Sequence, residues 1–410
     1  MTEFMKKYKL KITVLTPVHI GAATDLEPTE YVIFSENGER EQSQKQPDSA
    51  IICPECGYRN PANAEFCGDC GADLPRQTLP ARQTATSATA DCFLYTFTPG
   101  QLSAALSPAD KALLLKEART GDLTTLQNFF KNKAASIVKT ATKRALVCRE
   151  VSKKYAEKFG KVNSRDNDFS KFNIEKQISD PATGTPYIPG SSIKGAIRTA
   201  LMSQKNERLR LDKDYKKGAD AEKTLYGYQN PTNDPFKALK VEDGHASKTF
   251  MTKIDTAENV KRNSAKILNP KGGLSTYIEV IPSGMVFESS LSIMQNGFDM
   301  VSIQKSCNDF YADILSDQED HQIHTHGISA VLFEKIRKSV ERQKSAFLLC
   351  LGKHGGAESK TIEGLRNIRI MQGKEKQPRF DDHATTYWFA NDSAERQPFG
   401  WCVVEFEEMK

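Results

Sequence analysis

The sequence predicts an α+β protein built around an antiparallel sheet. Runs with a two-residue apolar period stand near both ends of the chain, and helical periods lie between them. No alternating βαβ series, GxGxxG or Walker A motif appears, which disfavours a doubly wound nucleotide-binding sheet.

The elements follow in order. From Lys7 to Leu15, Tyr8, Leu10, Ile12 and Val14 share one face while Lys9, Lys11 and Thr13 share the other, the period of a half-buried strand. It ends at Thr16-Pro17, and Val18-His19-Ile20-Gly21 begins a loop. Tyr31–Phe34 and Cys92–Phe97 read as two short strands, a hairpin whose turn has been opened to admit a module at residues 36–91. Residues 101–150 read as helices, with Leu113, Leu114, Leu115, Leu123, Leu126, Phe129, Phe130, Ile137 and Val138 near helical spacing, a packing pattern. Residues 152–180 read as polar loop. Gly190 and two serines then turn and cap a helix. Tyr277–Val280 and Met285–Met294, separated by Pro282-Ser283-Gly284, suggest a hairpin. Helices follow near 298–317 and 327–343, then a buried strand at Ala346–Leu351, and two final strands near Tyr387–Phe389 and Trp401–Phe406.

The chain has 410 residues, 38% of them hydrophobic, and a mean hydropathy of −0.53. That length suits two ordinary domains or one elaborated by insertions. No apolar run is long enough to span a bilayer, so no membrane partner is expected. The N-terminal stretch has no small-residue cleavage site of a signal peptide. Cys92, Cys148, Cys307, Cys350 and Cys402 are scattered without a spacing pattern, which points to a reducing, cytoplasmic compartment. Net charge is +5, unevenly spread. Residues 35–91 carry 5 Lys and Arg against 9 Asp and Glu, whereas residues 190–275 carry 17 against 10. A basic body fits a polyanion such as nucleic acid, or simply a lysine-rich solvated surface.

The acidic module contains CPECG and CGDCG. Cys53, Cys56, Cys67 and Cys70 can converge on one tetrahedral ion, with Gly57 and Gly71 easing each turn. Zinc is the expected cofactor. Four thiolates leave no position for water, so such a site is structural. Redox dithiols and rubredoxin-type iron are the alternatives. The polar flanks of the module read as tethers.

Three segments can carry function. In PYIPGSSIKGAIRTAL, a helix N-terminus offers amides and a positive dipole end to a phosphate. Lys194 and Arg198, four residues apart, share a helical face and could track a sugar–phosphate backbone, and Gly195 permits close approach. A capped surface helix is the plain alternative. In LGKHGGAESKTIEG, successive glycines can aim several N–H groups at one anion, with Lys353, His354, Ser359 and Lys360 beside them. A flexible surface loop accounts for it equally. His19, after the first strand, has the chemistry of an acid or base for RNA cleavage, but no second catalytic group accompanies it. HQIHTH, with His321, His324 and His326, reads as a solvated loop between two helices.

KITVLTPVHIGAATDLEPTEYVI, PYIPGSSIKGAIRTAL, YIEVIPSGMVFESSLSI and LGKHGGAESKTI stand in an order that resembles the RAMP superfamily of type III CRISPR effector complexes. Within that superfamily the chain is most similar to the fifth Csm subunit of type III-A systems. The zinc ribbon and the diverged glycine-rich loop depart from that subunit's usual pattern. The resemblance implies a modified ferredoxin-like (RRM-like) core with helical insertions, residues 1–35 and 92–410, interrupted by a zinc ribbon at 36–91. It further implies a non-catalytic subunit that caps the filament of backbone RAMP subunits and holds the 3′ part of the guide RNA (crRNA), with target RNA and other effector subunits as partners. The RNA contacts would fall on His19, Gly21, Gly190, Ser191, Ser192, Lys194, Arg198, Lys353, His354, Gly355, Gly356 and Lys360. Backbone subunits cut target with a loop aspartate after the first strand. The comparable stretch here holds Asp25, Glu27 and Glu30 without a matching motif. An endoribonuclease using His19 or Asp25, and a zinc-dependent protein adaptor, are the rival readings.

Overall fold

The computed structural model describes residues 5–35, 51–52, 55–56, 59–60, 92–141, 143–161, 172–211, 218–262, 275–294, 297–371, 377–392 and 395–409. Contacts divide the chain into two units, Met1–Ile33 with Leu94–Lys410, and Phe34–Phe93. Of the four thiols in the CxxC pairs, only Cys56 is among the described residues; Cys53, Cys67 and Cys70 lie outside them.

The larger unit is α+β. Its first sheet centres on the strand Met5–Val14, whose alternating exposure matches the alternation in its sequence. That strand pairs antiparallel with Val286–Met294 on one side and with Trp401–Met409 on the other. Gly244–Ala246 and Leu239–Val241 continue beyond Val286–Met294, and Ala346–Cys350 forms the opposite edge. Strand, helix, strand, strand, helix, strand is the ferredoxin-like order. One modification stands out: the C-terminal strand Trp401–Met409 takes the place beside the first strand, and displaces Ala346–Cys350 to the edge.

Two helices supply the core for this sheet. Gly190–Leu209 buries Ile193, Ala196, Ile197, Ala200 and Leu201, an i, i+3, i+4 stripe. Met300–His326 buries Ile303, Cys307, Tyr311, Ile314 and Leu315. Both stripes join one cluster with Leu10, Ile12, Phe287, Leu291, Phe347 and Trp401. Trp401 is fully buried, and its indole N–H donates to Gln318 Oε1 at 3.1 Å.

The second sheet runs in the order Gly21–Leu26, Ile174–Gln177, Ser275–Val280, Lys253–Lys261, Lys143–Val147, Cys92–Thr96, Tyr31–Ser35. Thr386–Asp392 also pairs with Lys253–Lys261. The opened hairpin is therefore seen as neighbouring strands. Two pairings here are parallel, Lys253–Lys261 with Lys143–Val147 and Ser275–Val280 with Ile174–Gln177, so the antiparallel expectation holds for the first sheet and only in part for the second.

Several local expectations change. Ser275–Val280 and Val286–Met294 do not form a hairpin; the chain crosses from one sheet to the other at Pro282-Ser283-Gly284, with Gly284 at φ +87°. Polar residues 152–180 contain the end of the helix Arg149–Lys158 and the strand Ile174–Gln177, because Val151, Tyr155, Phe172 and Ile174 are buried. HQIHTH is the last turn of a helix that stops at Gly327, φ +68°, and His326 is buried against Tyr387 and Phe389. In the helix Pro108–Thr120 no residue is buried, and Leu113 and Leu115 face solvent.

Trp401→Ala removes the largest buried side chain at the junction of both helices and the sheet. It is expected to destabilise the larger unit by about 3–5 kcal/mol, read as a lowered midpoint in chemical denaturation followed by tryptophan-independent circular dichroism.

Candidate nucleic-acid interface

Three segments far apart in sequence meet at one open cleft of about 350 Å³. Ile20 and Gly21 come from the loop after the first strand, Ser192, Gly195 and Thr199 from the helix Gly190–Leu209, and Gly352, Lys353, Ser359 and Lys360 from the glycine-rich loop. A second cavity, about 300 Å³, lies at the second sheet near Glu30, Lys143, Arg144 and Lys176 and holds none of the residues expected to contact RNA.

Glycine lets these backbones meet. Gly352 sits at φ +88°, and a Cβ there would overlap the carbonyl oxygen of His19. The Lys353 N–H donates to that same carbonyl at 2.8 Å. A Cβ on Gly355 would overlap Cys350 Sγ. Gly190 is packed against Val241 and Glu242, and its N–H donates to Asp243 Oδ1 at 2.7 Å. The first amide of the helix is thus capped by a carboxylate of the protein. Gly195 differs: among the described residues nothing stands within 4 Å of where its Cβ would be. It presents bare helix backbone to the cleft. Ser191 is exposed, and Ser192 is half-buried at the cleft wall.

The two helix cations are used differently from the sequence expectation. Lys194 Nζ donates to the carbonyls of Phe236 and Leu239 at 2.7 and 2.8 Å. Burial, then the nearby Arg198, pulls its pKa down. Arg198 is paired with Glu222, lies 3.2 Å from Asp234 Oδ2, and stacks over the Phe236 ring at 4.6 Å. Both heads hold the helix to the Pro231–Ala238 segment and neither lines the cleft. The lysines that line the cleft are Lys353 and Lys360, both exposed as residues, although burial of its ammonium group lowers the pKa of Lys360. Lys353 Nζ pairs with Glu175 Oε2 at 2.6 Å, and Lys360 Nζ donates to the Lys353 carbonyl at 2.6 Å.

Behind the cleft lie two histidines and Glu175. His19 is 1% exposed; its Nδ1–H donates to the Glu279 carbonyl at 2.7 Å, and its Nε2 is 3.4 Å from Glu175 Oε2. Burial lowers its pKa against the pull of that carbonyl and carboxylate. His354 is also buried, stacked on His19 at 5.7 Å and against Trp388 and Phe399, and burial takes its pKa down to about 3. His19 and His354 are therefore set behind the cleft as neutral, buried rings. Gly356 is half-buried in the same loop at φ +94°. Asp25 is exposed and sits opposite Glu175 in strand register. Glu175 is not evident from sequence: its strand lies inside a stretch that reads as loop, and pairing with Gly21–Leu26 and Ser275–Val280 brings it to the site.

An antiparallel first sheet with two packing helices, and a glycine-lined cleft at its edge, define a protein of ferredoxin-like type. The family model for the RAMP superfamily matches residues 11–317, and the chain belongs to that superfamily. Comparison with curated proteins gives no match. Among solved structures, the fold is similar to a chain of the Csm–crRNA–target RNA ternary complex of a type III-A CRISPR-Cas system. The TM-score is 0.55 and the identity 15%, covering 97% of this chain and 100% of that one. A likeness to T. onnurineus Csm5 has a TM-score of 0.48 and 14% identity, covering 96% and 99%.

Arg198→Ala leaves Glu222 and Asp234 without their cation and is expected to destabilise the fold by about 2 kcal/mol or more in urea denaturation. Gly190→Ala is expected to destabilise as well, through overlap with Val241. Gly195→Ala is expected to leave the melting temperature unchanged or raise it, by up to about 1 kcal/mol of added helix stability.

Proposed function

We propose that this chain is a non-catalytic, RNA-binding subunit of a type III CRISPR effector complex. In this reading it holds the 3′ part of the guide RNA and caps the filament of backbone subunits, with target RNA engaged in the assembled particle. The observation that carries the reading is the convergence of the three motif segments on one cleft. The cleft supplies what a sugar–phosphate chain needs: a bare stretch of helix backbone at Gly195, a hydroxyl at Ser192, and ammonium groups at Lys353 and Lys360. Phosphate contacts position a strand without reading its bases, which suits a subunit that must accept any guide.

Two features support a binding role over cleavage. His19 is buried and its Nδ1 is engaged by a backbone carbonyl, so it does not present an acid or base to the cleft. Asp25 stands exposed on the strand Gly21–Leu26 opposite Glu175, whose carboxylate is engaged by Lys353 at 2.6 Å. The zinc ribbon, with Cys53, Cys56, Cys67 and Cys70 as ligands, remains part of the proposal as a folding element of the inserted module. Lys194 and Arg198 act in it by holding the helix in place.

The test is guide retention by the assembled particle. Lys353→Ala with Lys360→Ala is expected to weaken guide binding at physiological salt and to lower the slope of log affinity against log salt by about 1 to 2. Purified wild-type protein is expected to leave RNA intact with or without divalent metal. Unchanged guide retention and salt slope in the double variant would refute the cleft as the guide site. RNA cleavage abolished by His19→Ala or Asp25→Ala would refute the non-catalytic assignment.

A further inference from the structure

We propose that His19, Glu175 and His354 form a binding site for one divalent transition-metal ion, which clips the glycine-rich loop to the loop after the first strand. The three residues come from separate parts of the chain, and one ligand atom from each lies within 4.8 Å of the other two. Ligand atoms sharing one ion through bonds of about 2.1 Å sit roughly 3–3.5 Å apart, so small side-chain rotations close the set.

The hydrogen bonding prepares the histidines for an ion. The Glu279 carbonyl can only accept, so the hydrogen of His19 is on Nδ1 and the lone pair is on Nε2. That Nε2 faces the Glu175 carboxylate, another acceptor, at 3.4 Å. His19 Nε2 and His354 Nε2 are both buried without a hydrogen bond. Buried nitrogens are normally partnered, and one cation between these rings and the carboxylate satisfies both. Trp388 and Phe399 pack against the His354 ring and fix its plane.

Donor chemistry selects the ion. Two imidazole nitrogens and one carboxylate suit Zn²⁺, Mn²⁺, Co²⁺ or Ni²⁺ and poorly suit Mg²⁺ or Ca²⁺, which prefer all-oxygen sets. The ion takes three protein ligands, two of them buried imidazoles, and keeps a fourth position for water. It joins His19 to His354 across the backbone contact that Gly352 permits. Lys353 now occupies Glu175 at 2.6 Å, so ion and ammonium compete for one carboxylate, and metal binding releases Lys353 toward the cleft that it lines. The site is independent of what fills the cleft, and its test involves no RNA.

Full-length protein is reconstituted with Co²⁺, freed of excess ion and counted by mass spectrometry. Wild type is expected to hold one ion per chain more than His354→Gln or Glu175→Gln. The difference spectrum is expected to show cobalt d–d absorption without thiolate-to-cobalt charge transfer, which separates this site from the cysteine-rich module. Glu175→Gln is isosteric at a partly exposed position, so it keeps the measurement valid if His354→Gln perturbs folding. Lys353→Met removes the competing cation and leaves all ligands. It is expected to bind this ion at least twofold more tightly, a gain that misfolding does not produce. Equal cobalt content in wild type and both ligand variants, or no tighter binding in Lys353→Met, overturns the proposal.

Discussion

The approach of Gly352 to His19 is the contact on which the arrangement of this protein depends. A backbone carbonyl occupies the space a side chain would need, and the next amide hydrogen-bonds to it. Around that point the chain after the first strand is stitched to two later segments. Gly400 N–H donates to Pro17, Leu351 N–H to Gly400, Leu15 N–H to the Trp401 carbonyl, and Trp401 N–H to Thr16 Oγ1. The C-terminal strand can lie beside the first strand only with these loops threaded together. Its insertion displaces Ala346–Cys350 to the edge, so the glycine-rich loop that follows emerges next to Gly21 and the helix beginning at Gly190.

Charge in this region divides into two uses. Lys194 and Arg198 lie on a helix whose first amide already has the Asp243 carboxylate, and their heads are spent on carbonyls and carboxylates of the segment leading to Leu239. A partly buried guanidinium with two carboxylates and an aromatic ring is an anchor, because removing it strands charges that water reaches poorly. Lys353 and Lys360 are the exposed residues of a loop whose His354, Glu358 and Ser359 are buried, and both line the cleft. Lysine thus holds the helix in one place and lines the cleft in the other, and the partners each head finds set the difference.

Much of the first sheet was legible because its strands are one-sided. The alternation from Tyr8 to Val14 and the apolar run at Ala346–Leu351 identify a half-buried and a fully buried strand, and both are found. What escaped was set by pairing over long sequence distances. Ile174–Gln177 is too short and too polar to announce itself, yet it is held between Gly21–Leu26 and Ser275–Val280 and brings Glu175 to His19. A proline–serine–glycine turn between two strand-like runs looks the same whether the chain folds back or changes sheet, and here it changes sheet. At the cleft, the three motif segments were readable in the sequence, but of their expected contacts Gly21, Ser192, Lys353 and Lys360 line it while Gly190 and Ser191 do not. Which lysines remain at the cleft depended on the partners that Phe236, Leu239 and Asp234 supply.

Two glycines on one helix show how packing and function can be separated. Gly190 is required by the fold, since the Val241 carbonyl leaves no volume for a methyl group. Gly195 has no such neighbour, and a glycine inside a helix costs about 1 kcal/mol relative to alanine. Stability therefore argues against glycine at position 195, and no contact among the described residues offsets that cost. Its position at the cleft, between Ser192 and Thr199 and across from the glycine-rich loop, supplies the reason. Absence of a side chain there leaves helix backbone open to the cleft.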